Sequence, residues 1–564
     1  MSKIEAREIF VKDLFSDKFL FQIPVYQRPF SWDKDDFDNL FEDIRQSMEN
    51  GEQNYFLGSI ILRTVEKEAD GSGLYDLVDG QQRITSLIIL LAVMRDLLNN
   101  FDRNYAEQIQ SLLYQKAAPL LGKKESFRLL VWEREQDFFK ENILQEGKTL
   151  HDFNLKTLKD AKYKMVLAIT IFKQKFINDN GEINKDLLFK MSYYVLNNCL
   201  FAYVKTGELT LAFRLFTVLN TRGLPLTASD LLKSYNLAAV PDDNRKKYAQ
   251  IWENIEDELG KEELERLISF LRDIFIREKA KRTMFEEFEE RVFASGVISK
   301  GEAFIKYLKN MADIYRERVQ NAQISSTSNV YVRYYNLMSL MRDFIPSKDW
   351  MSAFLRFCEK FNNENKIMEF LQKIEKRYIV DWVLGFTPTQ RLTIIYNIIR
   401  LINESTCEDE VINNSLFDTS AREKEFLSAI DSVDFYDKNY SKYVLLRIDL
   451  DLSENQNITK AYKGTITIEH ILPRNPSHNE WLDLFDKQAR SEWTNKIGNL
   501  VLLSRRKNSS ANNRPFLEKK KSYFGGSMTD FELTKEIDKY NKWDIQSIQD
   551  RQREMLRRAK KLWL

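Results

Sequence analysis

The sequence predicts an α+β protein of several domains. Three stretches with different periodicity lead to this prediction. Residues 55–98 are patterned as two strands, a glycine turn and a helix; residues 241–460 follow a helical period; residues 465–508 form two short apolar runs that lead into a helix. Because the chain has 564 residues, 43% of them hydrophobic, it can bury more than one core, and we expect two or three domains.

Composition limits the protein's compartment and partners. The net charge is only +1, so any attraction to nucleic acid must come from local basic patches. Three cysteines without paired spacing are typical of a reducing compartment. The N-terminal residues lack an apolar signal core, and the longest apolar run, residues 87–94, is too short to span a bilayer. We therefore expect a soluble cytoplasmic protein with no membrane partner.

The first segment of interest, residues 23–32, reads IPVYQRPFSW and precedes a helix for which Asp33 is the expected N-cap. Its aromatic residues Phe30 and Trp32 are most simply core residues. Arg28 lies close to two prolines and is less easily explained by packing. We regard Arg28 as a candidate ligand contact.

Residues 55–65 and 74–78 are predicted strands, and a helix is predicted from Thr85 to Leu98. A glycine turn between a strand and a helix N-terminus exposes backbone N–H groups and the positive end of the helix dipole, which suits an anion. Arg83 could add a bidentate phosphate contact, and Asp79 could hold a metal or a ribose hydroxyl. The alternative is a hydrogen-bonded turn in which Arg83 forms a salt bridge. The turn itself is Asp79, Gly80, Gln81, Gln82 and Arg83.

Residues 211–219 predict an amphipathic helix, and a second helix follows residue 227. Thr227 and Asp230 have the spacing of a capping box, a structural role that alone would explain them.

Taken together, the segments IPVYQRPFSW, FLGSIIL, LVDGQQRITSL and FRLFTVLNTRGLPLTASDLLKSY resemble the ParB-like N-terminal domain of the GmrSD-type restriction enzymes. The resemblance covers about residues 10–240, with all four segments in the family's order. It implies nucleotide binding and hydrolysis by a ParB-like α/β domain, with DGQQR at its centre. The implied nucleotide contacts are Asp79, Gly80, Gln81, Gln82, Arg83 and Arg28, and the secondary candidates are Asn220, Arg222, Asp230 and Lys233.

Residues 241–460 carry no recognisable chemistry. Their helical period predicts a connector that relays nucleotide state or contacts DNA.

In the C-terminal part, an alternating strand pattern places Glu469 and His470 at the end of a strand. Hydrolysis of a phosphodiester needs a base for the attacking water and a cation for the developing charge, and an imidazole beside a metal-bound oxygen ligand supplies both. A lone Glu-His pair is nevertheless more often a surface pair than a catalytic site.

The wider spacing resembles the HNH nuclease family. The matching residues are Glu469, His470, Ile471, Pro473, Asn499, Leu500, Leu503 and Asn508. The resemblance implies a ββα-metal fold in which Glu469 and Asn508 hold one Mg²⁺ or Mn²⁺ ion, His470 is the general base, and Asn499 braces the loop that carries His470. Many HNH proteins form a zinc ribbon with cysteines where this chain has Ser504 and Lys507, so no structural zinc is expected.

Residues 490–521 contain nine basic and two acidic side chains, a local excess expected around a site for a polyanion. Asn512 matches the residues that follow the HNH core and is expected to support the site. The predicted DNA contacts are Arg505, Arg506, Lys507, Arg514 and Lys519. A second basic run in the last helix is most simply a solvated face: Arg551, Arg553, Arg557, Arg558, Lys560 and Lys561.

We therefore predict three domains: an NTP-binding and hydrolysing sensor domain at 1–240, a helical connector at 241–460 and an HNH endonuclease domain at 461–564. Together they would form an NTP-dependent, modification-dependent DNA endonuclease acting against phage. Its partners would be an NTP and double-stranded phage DNA with modified bases or backbone, and a homodimer would bring two centres together to cut both strands. The alternative is a non-hydrolytic DNA- or nucleotide-reading regulatory protein with a decayed or secondary nuclease domain.

Overall fold

A computed structural model describes the chain except residues 1–3, 25–26, 28, 68–71, 118–124, 209–210, 213–214, 216–226, 454–457, 461, 463, 505–512 and 525–529, and except the side chains of residues 133, 134 and 242. The chain forms two compact units. The first contains Met1–Glu253 and Lys300–Glu302, and the second contains Asn254–Ser299 and Ala303–Leu564.

A six-stranded mixed sheet forms the centre of the first unit. Its strands are β1 (Glu5–Phe10), β2 (Phe19–Gln22), β3 (Tyr55–Lys67), β4 (Gly73–Asp79), β7 (Leu129–Leu130) and β8 (Cys199–Thr206), in the order β1-β8-β3-β4-β2-β7. The β1/β8 and β3/β4 pairs are antiparallel, and the other three pairs are parallel. Strands β5 (Tyr114–Gln115) and β6 (Ser126–Phe127) form a separate antiparallel pair.

Helices of the first unit pack on this sheet. They are α1 (Val11–Leu14), α2 (Lys34–Glu49), α3 (Gln81–Leu98), α4 (Arg103–Leu113), α5 (Glu133–Phe139), α6 (Asp160–Lys175), α7 (Lys185–Asn197) and α8 (Ala228–Ala239). Helix α3 is apolar on nearly every face and is buried along its length, as expected for a helix at the centre of a core. The predicted capping boxes are confirmed at Asp33 for α2 and at Thr227 and Asp230 for α8.

The remaining α-helices run from the end of the first unit through the second. They are α9 (Asp242–Leu259), α10 (Lys261–Ile276), α11 (Met284–Phe288), α12 (Glu302–Ile314), α13 (Ser328–Phe344), α14 (Trp350–Lys360), α15 (Glu364–Val383), α16 (Pro388–Glu404), α17 (Glu408–Ile412), α18 (Glu423–Ile430), α19 (Ser441–Ser453), α20 (Asn479–Leu484), α21 (Lys487–Trp493), α22 (Phe516–Phe524), α23 (Glu532–Lys535) and α24 (Ile545–Trp563). Three π-helical turns occur at Lys140–Leu144, Glu289–Phe293 and Tyr315–Gln320. The 3-10 turns are Lys148–Leu150, Leu155–Thr157, Ser415–Phe417, Ser420–Arg422, Phe435–Asp437, Ile497–Asn499 and Glu536–Lys539.

Near its C-terminal end the second unit contains the strand-strand-helix order that the sequence predicts. Strand β9 (Ile466–His470) pairs antiparallel with β10 (Leu500–Ser504), and α22 follows. Side chains from all three elements and from α24 enclose a small core that includes Val501, Leu503, Phe516, Trp543 and Ile548.

The mixed α/β class and the helical middle region agree with the predicted α+β class. One boundary was wrong: α3 begins at Gln81, not Thr85, because Gly80 adopts a left-handed conformation (φ 87°) directly after β4 and the helix starts at once.

The last helix also corrects a prediction. Arg551 and Arg558 are buried, whereas a solvated face was expected. Arg551 donates to the carbonyl groups of Gly498 and Leu500, and Arg558 pairs with Glu536 and Glu554. Among the residues that the structure describes, no helix is both long and apolar enough to cross a membrane.

Candidate active site

Strand β9 brings Glu469 and His470 to the edge of the C-terminal core. In the antiparallel register Glu469 is opposite Val501 and His470 is opposite Leu500. Because neighbouring side chains on a strand point to opposite faces, the carboxylate and the imidazole lie on different sides of the two-stranded ribbon. Both side chains are buried.

The Glu469 carboxylate forms a buried ion pair with Lys519 of α22. Lys519 Nζ lies 2.7 Å from Glu469 Oε1 and also donates to the carbonyl oxygen of His470 at 2.6 Å. Burial raises the pKa of Glu469 and lowers the pKa of Lys519, although each charge favours the ionised form of the other. The cost of desolvation therefore exceeds the attraction on both sides of the pair, and neither charge is stable here without the other.

His470 is held as a neutral imidazole. Its Nε2 lies 2.9 Å from Asn495 Oδ1, and its ring centroid is 4.3 Å from that of Tyr436. Burial lowers the pKa of His470 to about 4, with smaller contributions from the positive charges of Arg474 and Lys519. An imidazole with this pKa is unprotonated near neutral pH, which is the state that a general base requires.

The side chain of Asn499 fixes the loop that follows His470. Its Oδ1 accepts from the backbone N–H of Leu472, and its Nδ2 donates to the carbonyl oxygens of Leu472 and Thr494. The Trp543 indole donates to the same Oδ1 at 3.1 Å. The structure thus shows the bracing contact expected from the sequence pattern, while a contribution of Asn499 to catalysis stays a prediction.

The predicted cation site is described in part. Glu469 offers the carboxylate oxygen that Mg²⁺ and Mn²⁺ prefer, but its expected partner Asn508 lies outside the described residues. No group of three or more His, Cys, Asp or Glu side chains within the described part of the chain could hold a metal ion. The residues present fit one cation on a single carboxylate, completed by ligands from elsewhere.

The predicted DNA contacts are distributed differently from the expectation. Arg514 is exposed beside the site, and Arg505, Arg506, Lys507 and Asn512 lie outside the described residues. Lys519 has a relative exposure of 1% and bonds Glu469 and His470, so the structure places it beneath the site and not on the predicted DNA surface. A buried ammonium with two such partners is not presented to a phosphate.

In the first unit, β4, Gly80 and α3 form the predicted strand-turn-helix. Asp79 ends β4, and its Oδ1 accepts from the Gly80 N–H at 2.8 Å. A Cβ atom at Gly80 would lie 2.5 Å from Ile60 Cγ2, so close approach to β3 and the positive φ both require glycine there.

Gln82 joins this turn to the IPVYQRPFSW segment. Its Oε1 accepts from the backbone N–H groups of Ser31 and Trp32, and its Nε2 donates to the carbonyl oxygen of Pro29. Gln27 makes a second link by donating to the Val78 carbonyl oxygen. Gln82 is therefore a structural brace, whereas the sequence predicted a nucleotide contact, a role that stays a prediction.

Arg83 lies at the start of α3 in a largely buried position. Within the described chain it makes no hydrogen bond and no ion pair, and burial lowers its pKa despite the attraction of Asp79. Its guanidinium packs against Gly58, where a Cβ atom would lie 2.7 Å from Nη1. The predicted alternative, a salt-bridged Arg83, is not what the structure shows.

A narrow cavity beside Gln81, Gln82 and Thr85 is walled by Trp132 and has a volume of about 10 Å³, about enough for one water molecule. Lys233 approaches the other side of this region, with Nζ 5.8 Å from the centroid of the Trp132 ring and 3.7 Å from Glu253. The structure therefore brings Lys233 towards the turn. Asp230 serves as a helix cap, and Arg28, Asn220 and Arg222 lie outside the described residues.

Comparison with known proteins agrees with both regions. The model of the GmrSD restriction endonuclease N-terminal domain matches residues 11–237, and the model of the C-terminal domain matches residues 420–558. The two matches follow the family's order and together cover more than half of the chain. The chain belongs to the GmrSD restriction endonucleases. Comparison with curated proteins finds no match.

Membership in the GmrSD family makes this protein a restriction endonuclease, so DNA is its substrate and phage defence its role. The C-terminal match begins at residue 420, within the region that we predicted to be a connector. It thus includes Tyr436, which packs against His470.

Sequence reasoning missed three residues around His470: Asn495, Tyr436 and Asp437. No sequence pattern pointed to the last two, because they reach the site from a segment more than 30 residues before it. Lys519 could have been placed correctly, since Phe516, Lys519 and Tyr523 share one helical face by their spacing, and that face is buried.

Proposed function

We propose that this GmrSD enzyme cuts DNA with a one-metal HNH centre in the C-terminal region, and that its N-terminal domain binds and hydrolyses an NTP to license cutting of modified phage DNA. The observation that carries the nuclease part is the neutral, buried imidazole of His470 on a braced loop beside Glu469. A charged or freely rotating histidine would serve poorly as a base.

In the proposed reaction, His470 accepts a proton from a water molecule as the water oxygen forms a bond to phosphorus. The bond from phosphorus to the 3′ oxygen breaks, and the leaving oxygen takes up a proton. Glu469, with Asn508 as its predicted partner, would hold Mg²⁺ or Mn²⁺, which when bound supplies positive charge to the phosphate and the departing oxygen. Lys519 keeps the Glu469 carboxylate ionised and in place.

The test of the nuclease proposal is His470→Ala in the full-length protein. We expect loss of metal-dependent DNA cleavage by at least about a thousandfold, with NTP hydrolysis unchanged. His151→Ala is the matched control, because His151 is an exposed histidine of the first unit. Cleavage by His470→Ala at the rate of His151→Ala would exclude His470 as the base.

The nucleotide part rests on Arg83 at the N-terminus of α3. A largely buried guanidinium without a hydrogen-bonding partner in the described chain, next to a helix N-terminus, favours a bound anion. The phosphates of an NTP have the charge and the oxygen geometry for this position. The narrow cavity beside Gln81 is too small for a base, so the base must lie elsewhere.

Arg83→Gln tests the nucleotide proposal. We expect phosphate release from NTPs to fall to background, while Arg103→Gln, which removes an exposed arginine, leaves it unchanged. Nucleotide binding by the wild type without phosphate release would favour a non-hydrolytic reader. Absence of both binding and hydrolysis would refute the proposal.

Dependence on modification is tested by offering unmodified, glucosylated and phosphorothioated phage DNA with each NTP and with Mg²⁺ or Mn²⁺. We expect cleavage of one modified class only, and only with nucleotide present. Cleavage of every DNA without nucleotide would contradict both dependences. Sedimentation of the protein with and without DNA tests the proposed homodimer.

A further inference from the structure

Two residues from outside the strand-strand-helix segment control the imidazole of His470. Asn495 Oδ1 lies 2.9 Å from His470 Nε2, and Asn495 Nδ2 donates to Asp437 Oδ2 at 3.2 Å. Asp437 belongs to the 3-10 turn Phe435–Asp437, in the region for which the sequence predicted no chemistry. A chain of polar groups therefore runs from the proposed base to an exposed carboxylate.

The carboxylate determines which end of the Asn495 amide faces His470. An ionised carboxylate only accepts hydrogen bonds, so it binds the NH₂ group of Asn495. The amide carbonyl is then left for His470, and since a carbonyl also only accepts, Nε2 must carry the proton. The neutral imidazole consequently has its lone pair on Nδ1, and within the described chain it makes no other hydrogen bond.

Tyr436 fixes the same arrangement from the side. Its backbone N–H donates to the Asn495 carbonyl oxygen at 3.0 Å, and its ring packs on the imidazole at an interplanar angle of 52°. Arg474 lies over the Tyr436 ring at 5.4 Å. Residues 436 and 437 thus bind Asn495 through both its backbone and its side chain.

We propose that Asn495 and Asp437 are positioning residues that set the tautomer of His470, with the proton on Nε2, so that Nδ1 is the atom that takes the proton from the attacking water. This inference rests on the proposed role of His470. It makes the segment before α19 part of the nuclease centre and not only a connector.

The test changes the hydrogen-bonding character of position 437 in the full-length protein. Asp437→Lys places a donor where an acceptor was, which turns the Asn495 amide and moves the imidazole proton to Nδ1. Asp437→Asn, which can donate or accept, leaves a mixture. Asp434→Lys is the control, because Asp434 is exposed in the same segment and the change in charge is identical.

The first readout is the ¹⁵N spectrum of histidine-labelled protein, in which coupling to ring protons distinguishes the two tautomers. The chain has only three histidines, and the spectrum of His470→Gln identifies the signals of His470. We expect Nε2–H in the wild type and in Asp434→Lys, Nδ1–H in Asp437→Lys, and both forms in Asp437→Asn.

The second readout is DNA cleavage. We expect kcat to fall about tenfold or more in Asp437→Lys with KM nearly unchanged, corresponding to one charge-assisted hydrogen bond, and Asp437→Glu to restore most of the loss. An Asp437→Lys variant with the wild-type tautomer and the kcat of Asp434→Lys would overturn the proposal. If the wild type does not cut DNA, the proposed function fails, but the ¹⁵N spectra still decide the tautomer.

Discussion

The proposed nuclease centre and the N-terminal turn both bury charged side chains, but the structure treats these charges differently. At the nuclease centre the Glu469 carboxylate and the Lys519 ammonium are paired at 2.7 Å, and the neighbouring His470 is neutral. At the turn, Arg83 is largely buried and makes no ion pair or hydrogen bond within the described chain. The first region is internally satisfied, whereas the second lacks a negative partner for Arg83.

This difference suggests different roles for ligands in the two regions. A buried charge without a partner costs free energy, and a ligand that supplies the partner recovers it. We therefore expect ligand binding to stabilise the N-terminal domain markedly. At the nuclease centre the preformed ion pair and the braced loop keep the geometry before substrate arrives.

The largest expected effect breaks the ion pair at the nuclease centre. Lys519→Met leaves Glu469 buried without a cation and should lower the free energy of unfolding by about 3–5 kcal/mol. Adding Glu469→Gln should restore part of that loss, because it removes the unpaired charge. Calorimetric unfolding of the single and double variants measures both effects. Lys521→Met, at an exposed position of α22, is the control, and equal stabilities of Lys519→Met and Lys521→Met would show that the ion pair contributes nothing.

The second effect depends on pH. His470 has a folded-state pKa of about 4 against an ordinary value of 6.5, so the unfolded chain binds a proton more readily than the native protein does. The stability provided by neutral His470 is complete above pH 6.5 and is lost as the pH falls towards 4, by on the order of 3 kcal/mol in total. The difference in unfolding free energy between wild type and His470→Gln, measured at pH 7.5 and 4.5, should shrink by that amount. Parallel curves would mean that His470 titrates normally.

The sequence predicted much of both regions. Periodicity and glycine placement located β3, β4, α3, β9 and β10, because these elements are short-range consequences of alternation and turn chemistry. The spacing also identified Glu469 and His470, which share one strand. It did not predict their partners.

What the sequence could not give is contact between distant segments. Asp437 and Asn495 are 58 residues apart, and Glu469 and Lys519 are 50 apart, so no local pattern relates them. The buried state of Arg551 was missed for the same reason, since its partners are backbone carbonyls at Gly498 and Leu500 that carry no sequence signal. Charge runs predicted surface, and tertiary packing placed particular members of them inside.

A smaller effect is expected at Gly58, which accommodates Arg83. Gly58 has a φ of 108°, and a Cβ atom there would lie 2.7 Å from Arg83 Nη1. Gly58→Ala should destabilise the N-terminal domain by about 1–2 kcal/mol through backbone strain and should weaken nucleotide binding by displacing the guanidinium. Gly51→Ala is the control, because Gly51 also has a positive φ but nothing lies within 4 Å of its Cβ position. If both variants bind nucleotide like the wild type, the contact between Gly58 and Arg83 has no role in binding.

The smallest effect on stability, and the sharpest contrast with Lys519, is expected for Arg83→Met. Removing a buried cation that lacks a partner should leave the unfolding free energy of the ligand-free protein unchanged or raise it by up to about 1 kcal/mol. Arg63→Met should instead destabilise the same domain, because Arg63 pairs with buried Asp76 at 3.0 Å. The increase in melting temperature on adding an NTP should be present in the wild type and absent in Arg83→Met. If Arg83→Met destabilises the ligand-free protein as much as Arg63→Met does, Arg83 is a structural residue and the N-terminal turn resembles the nuclease centre in pairing its charges.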